Sequence, residues 1–191
     1  MEHLLFAVEN LFSRIIIGVY MKRGLFITVE GNDGSGKTTQ IERIKTHLSS
    51  LGFNVILTRE PGGTRISEGI RSIILNPEFT EMSNTAELLL YSAARAQLVD
   101  QLIKPSLERC VTVICDRYVD SFYAYQGFGR GIEFKLLENI TKIAVSGTMP
   151  DITFFLDLAP EIGLKWRFAA TGKDRIENEV PDFHKRVHEG Y

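Results

Sequence analysis

The chain has 191 residues, 44% hydrophobic and 24% charged, with a formal net charge of −2. That size and balance fit one compact domain with a full-sized core, and they exclude the basic face by which proteins hold duplex nucleic acid. The two cysteines, Cys110 and Cys115, have neither metal-ligand spacing nor the density of a disulfide scaffold, so buried free thiols in a reducing, cytoplasmic setting are expected.

Residues 1–20 differ from the rest. Leu4, Val8, Leu11, Phe12, Ile15 and Val19 recur at helical spacing. The stretch is short for a bilayer span, is interrupted by Glu9 and Arg14, and lacks a small-residue cleavage site. Neither a membrane segment nor a secretory leader is expected. Residues 1–20 read as an extension, from an upstream start or an amphipathic appendage, and residues 21–191 as the folded domain.

From Leu25 onward, strand and helix patterns alternate. Leu25–Glu30 is an apolar run entering a Gly-rich turn, and Lys37–Leu51 is a helix with Ile41, Ile44 and Leu48 on one stripe. Asn54–Thr58 is a second strand, stopped by Arg59-Glu60-Pro61-Gly62-Gly63. Ile66–Leu75 and Ala86–Lys104 read as helices, Val111–Asp116 as a third strand, Ile132–Val145 as a helix and Ile152–Leu158 as a fourth strand. Pro160 suits the first turn of another helix. His184 and His188 share a face of a further one, and without a third ligand they read as a solvated surface. Apolar strands separated by helices imply an α/β fold whose parallel sheet is covered on both faces.

The run Gly31-Asn32-Asp33-Gly34-Ser35-Gly36-Lys37-Thr38 fills every fixed position of G-x-x-x-x-G-K-[ST], with a strand before it and a helix after. Its backbone N–H groups and the helix N-terminus favour phosphate. Lys37 is placed to reach the outer phosphates, and the Thr38 hydroxyl to hold Mg²⁺. Asp116, ending the third strand, falls on the carboxyl side of the sheet where ligands bind, and so on the metal side of the same pocket. Arg117 beside it is suited to a second phosphate. Tyr91 and Arg95 stand four apart and share a helix face.

Four segments taken together resemble bacterial thymidylate kinases: Thr58-Arg59-Glu60-Pro61-Gly62-Gly63-Thr64, Tyr91-Ser92-Ala93-Ala94-Arg95, Asp116-Arg117-Tyr118 and Ala124-Tyr125-Gln126-Gly127-Phe128-Gly129-Arg130-Gly131. The likeness runs in register from about Met21 to Tyr191. It implies the three-layer P-loop kinase fold and transfer of the γ-phosphate of ATP to dTMP with Mg²⁺. A deoxynucleoside kinase and a nucleotide-binding remnant are the alternatives. By the same resemblance, Gly31–Thr38 bind ATP, while Lys37, Arg117 and Asp116 are catalytic, and Thr38 and Asp116 hold the metal. Asp33, Glu60, Arg71, Tyr91, Arg95, Arg117, Tyr125 and Gln126 form the dTMP site. Within it Tyr91 stacks on thymine, Arg95 donates to a base carbonyl, Arg71 and Arg117 grip the acceptor phosphate, Asp33 meets the 3′-hydroxyl and Tyr125 crowds the 2′ position. Glu60 orients the arginines or a metal-bound water, or else is a turn-stabilising surface carboxylate. The family forms homodimers, for which the apolar stripe of Ala86–Lys104 is the candidate surface.

Three positions depart from the family pattern. Phe122 replaces the second of two small hydroxyl residues and cannot donate a side-chain hydrogen bond, so either part of the thymine readout is lost or the pocket is narrowed, and discrimination of dTMP from dUMP is the property most exposed. Gly34 stands where some members carry an arginine, which transfers that duty to a lid at Gly163–Glu177. There Arg167, Lys173 and Arg175 are candidates, with a plain solvated face as the alternative for the last two. The resemblance also implies a strand and helix beyond Tyr191, whose absence would leave a sheet edge and the adenine pocket incomplete.

Overall fold

The computed structural model describes residues 23–168 and 174–191; the 1–20 extension, Lys173 and the Arg167 side chain lie outside that description. Four strands, β1 (Phe26–Glu30), β2 (Val55–Arg59), β3 (Thr112–Asp116) and β4 (Ile152–Phe155), form one sheet in the order β2-β3-β1-β4. Every pairing is parallel, with Thr28 beside Cys115 and Thr153. All four expected strands are present, within three residues of the expected ends.

Among the described residues, eight α-helices accompany the sheet. They are α1 (Lys37–Ser50), α2 (Arg65–Leu75), α3 (Asn84–Leu98), α4 (Lys104–Glu108), α5 (Val119–Phe122), α6 (Phe134–Val145), α7 (Pro160–Phe168) and α8 (Pro181–Gly190). Alternation along the strands divides the core between the two faces. Ile27, Val29 and Ile114 pack with Ile41, Ile44 and Leu48 of α1. Phe26, Val113 and Cys115 point the other way, onto Leu98, Val99, Ile103, Leu107 and Val145. This is the expected layered α/β fold.

The helix expected over Ala86–Lys104 differs in detail. After α3 it widens into a π turn at Val99–Ile103 and then continues as α4. Pro105 supplies no N–H and crowds the preceding turn. The Lys104 N–H bonds to the Val99 carbonyl five residues back, which opens the helix where the ring must fit.

A second π segment, Tyr123–Gly129, was not legible from hydrophobic period. It continues α5, and the Arg130 N–H closes it on the Tyr125 carbonyl at 2.9 Å. Ala124 and Tyr125 pack against Ile176, Phe183 and Val187, so α8 lies along this segment. His184 is buried within that contact, edge-on to Phe183, and the solvated histidine face is thereby corrected. Cys110 also departs from expectation. Only Cys115 is buried, whereas Cys110 is exposed in a left-handed turn before β3.

Candidate active site

Two adjoining clefts open at the carboxyl ends of β1, β2 and β3. Asp33, Glu60, Arg71, Arg117 and Asp174 line both. The outer cleft adds Gly34, Gly36, Lys37, Thr38 and Asp116, and the inner one adds Tyr91, Arg95, Phe122, Tyr125 and Gln126. The fold therefore assembles the expected phosphate residues and the expected base residues around a shared line of charges.

The cradle links β1 to α1. Lys37 is buried, and its ammonium donates to the carbonyls of Gly31 at 3.0 Å and Asn32 at 2.8 Å. Burial and the charge of Arg117 push its pKa down to about 8, so it remains a cation at neutral pH. Thr38 is exposed at the mouth. Asp116 borders the same cleft, and its Oδ1 is buried without a hydrogen-bond partner among the described residues. An unpartnered carboxylate oxygen and the Thr38 hydroxyl lining one cleft suit a magnesium ion, which takes one or two protein oxygens and completes its shell with phosphate and water. Among the described residues no cluster of three or more His, Cys, Asp or Glu competes as a metal cage.

Gly34 has a steric reason. A Cβ there would lie 2.0 Å from the carbonyl oxygen of Gly163 in α7, and its φ is 75°. α7 rests directly on the tip of the cradle, backbone against backbone. No arginine fits at this position in this arrangement.

Arg117 occupies the centre. Its backbone is left-handed, φ 69°, which is unusual for a non-glycine residue and typical of functional sites. Its guanidinium donates to Asp33 at 2.5 Å, Gly31 O at 2.8 Å, the Tyr191 hydroxyl at 2.8 Å and Ser121 Oγ at 3.3 Å. Asp33 also accepts from the Tyr125 hydroxyl at 3.1 Å. Burial works against the Asp33 charge, but Arg117 and Lys37 outweigh it and hold the pKa at about 2. Arg71 donates to Pro61 O at 2.7 Å, and its head borders both clefts.

Arg95 is fully buried, with its guanidinium held by the Glu60 carboxylate through Nε at 2.9 Å and through Nη2. Glu60 is therefore a buried anchor and not a surface carboxylate of the turn. Nη1 of Arg95 has no hydrogen-bond partner among the described residues. Phe122 lies 4.6 Å from the guanidinium carbon, packs with Leu88 and Leu137, and closes the floor of the pocket. Its ring thus supports Arg95 at the position where a hydroxyl was expected.

Arg175 lies neither on a solvated face nor among the phosphate-cleft residues. It donates to Glu87 at 2.6 Å and to Ile74 O at 2.7 Å. Sequence reasoning also missed Glu30, Glu87, Ser121 and Tyr191. Glu30 accepts from Ser121 Oγ at 2.5 Å and from the Tyr118 N–H at 2.7 Å. Glu87 near the start of α3 reads in sequence as a helix-dipole carboxylate. Its distant partners leave no local signal.

The thymidylate kinase family model matches residues 29–191. The chain is 50% identical over 171 residues to the thymidylate kinase of Pelotomaculum thermopropionicum, covering 88% of this chain and 79% of that protein. It is 48% identical over 172 residues to that of Deinococcus radiodurans, covering 90% and 82%. The crystal structure of thymidylate kinase from Ehrlichia chaffeensis superposes with a TM-score of 0.71 at 36% identity, over 87% of this chain and 83% of that one. With the phosphate cradle, the buried Glu60–Arg95 pair and the Arg117–Asp33 pair set around one divided cleft, the chain belongs to the thymidylate kinase family.

Proposed function

We propose that this protein transfers the γ-phosphoryl group of ATP to dTMP, giving dTDP, with ATP in the outer cleft and dTMP in the inner one. The observation that carries this reading is Arg95, fully buried in the wall of a pocket continuous with a phosphate cradle, with its Nη1 unpartnered among the described residues. A pyrimidine carbonyl answers that donor, and burying a donor without such a ligand is costly. Tyr91 supplies the ring face for the base, Gln126 its edge, Tyr125 the wall at the sugar 2′ position and Asp33 the acceptor for the 3′-hydroxyl. Arg71 and Arg117 take the acceptor phosphate.

Phosphoryl transfer passes through a loose transition state with charge spread over equatorial oxygens, so positioned cations matter more than a strong base. Lys37 supplies one when it leaves the Gly31 and Asn32 carbonyls for phosphate. Arg117 supplies another between donor and acceptor, and its several partners hold it there before substrate arrives. Thr38 and Asp116 would hold Mg²⁺, which supplies charge neutralisation on the donor phosphates. α7, resting on Gly34, screens the cradle from water on the lid side.

No helix among the described residues is long and apolar enough to cross a membrane, and a cytoplasmic location is the proposed one. A homodimer is proposed through α2, α3 and α6, whose exposed Ile66, Ile73, Leu89 and Ile143 suit an apolar contact with a second copy. The test of function is an ADP-release assay with dTMP, dUMP, dGMP and thymidine as acceptors. Turnover with dTMP is expected. Turnover with thymidine in its place, or ATP binding with no acceptor turned over, refutes the reading.

A further inference from the structure

A glutamine side chain has a donating end and an accepting end, and which end a ligand meets depends on what holds the other. Gln126 is buried, and its Nε2 donates to Glu87 Oε1 at 3.1 Å. The same oxygen accepts from Arg130 Nε at 3.0 Å. The other, Oε2, accepts from Arg130 Nη2 at 2.9 Å and from Arg175 Nη2 at 2.6 Å. Burial favours the neutral acid, but Arg130 and Arg175 prevail and hold the Glu87 carboxyl below its ordinary range. An ionised carboxylate offers acceptors only. The Gln126 amide must therefore turn its nitrogen to Glu87, which leaves Oε1 as the end available to the pocket.

Arg95 lines the same pocket, and its buried Nη1 is a donor without a partner among the described residues. The two residues thus offer one donor and one acceptor. Thymine and uracil present a ring N–H flanked by carbonyl oxygens, which complements that pair. Cytosine presents a ring nitrogen lone pair beside an amino group, which sets acceptor against acceptor and donor against donor.

We propose that Glu87 is a positioning residue for base selection: by fixing the Gln126 amide with its oxygen toward the pocket, it sets the preference for thymine-type over cytosine-type acceptors. This rests on the assignment of the inner cleft to dTMP. Arg130 and Arg175 belong to the same device, because their charges keep Glu87 ionised and saturate the rest of its acceptor capacity.

The decisive variant is Glu87→Gln. Its carbonyl keeps the Oε2 place with Arg130 Nη2 and Arg175 Nη2, and its amide nitrogen takes the Oε1 place, giving up the Arg130 Nε bond and facing Gln126, whose own amide reverses and presents a donor to the pocket. Titration calorimetry with dTMP and dCMP reads the result as a ratio of Kd values. The dCMP-to-dTMP Kd ratio is expected to fall by about tenfold or more, the usual worth of a mispaired polar contact. A purely structural role for Glu87 lowers the melting temperature and leaves that ratio unchanged, and this outcome overturns the proposal. Gln126→Met separates the two levels of the argument. If it too collapses the ratio, the inner cleft reads the base; if it does not, the assignment of the cleft fails and this proposal with it. Collapse with Gln126→Met alone overturns only the role of Glu87. Should Glu87→Gln fail to fold, the wild-type protein decides by NMR. The Gln126 Nε2 protons are expected to show a nuclear Overhauser contact to the Arg130 Nε proton. Contact to the thymine ring in the dTMP complex without contact to Arg130 overturns the proposal.

Discussion

Replacing Glu30 with glutamine tests how the buried acid behind Arg117 is held. Glu30 ends β1 almost wholly buried, with hydrogen bonds from Tyr118 N–H and Ser121 Oγ and a longer one from the Tyr191 hydroxyl at 3.3 Å. Burial dominates and pushes its pKa from 4.5 up to about 7, while Ser121 and the charge of Arg117 pull the other way and Asp120 adds to the rise. Between those two values the folded protein is protonated here and the unfolded chain is not. The folded state therefore binds more protons, and stability falls as pH rises through this window. At about 1.36 kcal/mol per pH unit, moving from 4.5 to about 7 corresponds to about 3 kcal/mol, fully present below pH 4.5 and lost once pH passes 7. Glutamine does not titrate. The unfolding free energy of the wild type minus that of Glu30→Gln should decline by about 3 kcal/mol across this range and then level off. Urea unfolding followed by circular dichroism between pH 4.5 and 8.5 measures both proteins, and the remaining ionisable groups largely cancel in the difference. Two stability profiles that stay parallel across the range refute the reasoning.

Lys37→Ala and Arg117→Ala should each lower turnover with dTMP by on the order of a hundredfold or more with an unchanged circular dichroism spectrum, and near-normal activity in either purified variant removes that residue from its role. Glu60→Ala strands the Arg95 charge in the interior, which should cost about 3–5 kcal/mol in urea unfolding; a loss below about 1 kcal/mol means that Arg95 is solvated after all. Gly34→Ala drives a Cβ into Gly163 at a positive φ. It should destabilise the protein by more than about 1 kcal/mol and raise the KM for ATP, whereas an unchanged KM shows that α7 does not rest on the loaded cradle.

The order of strands and helices was legible because burial on both faces writes itself into short apolar runs such as Phe26–Glu30 and Thr112–Asp116. The cradle was legible because all its chemistry lies within Gly31–Thr38, eight consecutive residues whose backbone turn needs glycine. The motif at Ala124–Gly131 could be recognised, but its π geometry could not, because a single widened turn leaves no period in sequence. Helix spacing put Tyr91 and Arg95 on one face, and both do line the inner cleft.

Sequence by itself thus determined the parallel α/β layers and the glycine-rich cradle, since both are encoded in local spacing, while the resemblance to thymidylate kinases supplied the residues expected at the acceptor. Only the tertiary structure decided what those residues do to one another. Glu60 reaches Arg95 across 35 residues, Arg117 reaches Asp33 across 84, and Arg175 reaches Glu87 across 88. Burial fixes the charge and orientation of each pair, and burial at such separations is a property of the packed chain. The same packing moved Arg175 from a lid cation to a buried strut and turned Phe122 from a lost hydroxyl into the floor beneath Arg95.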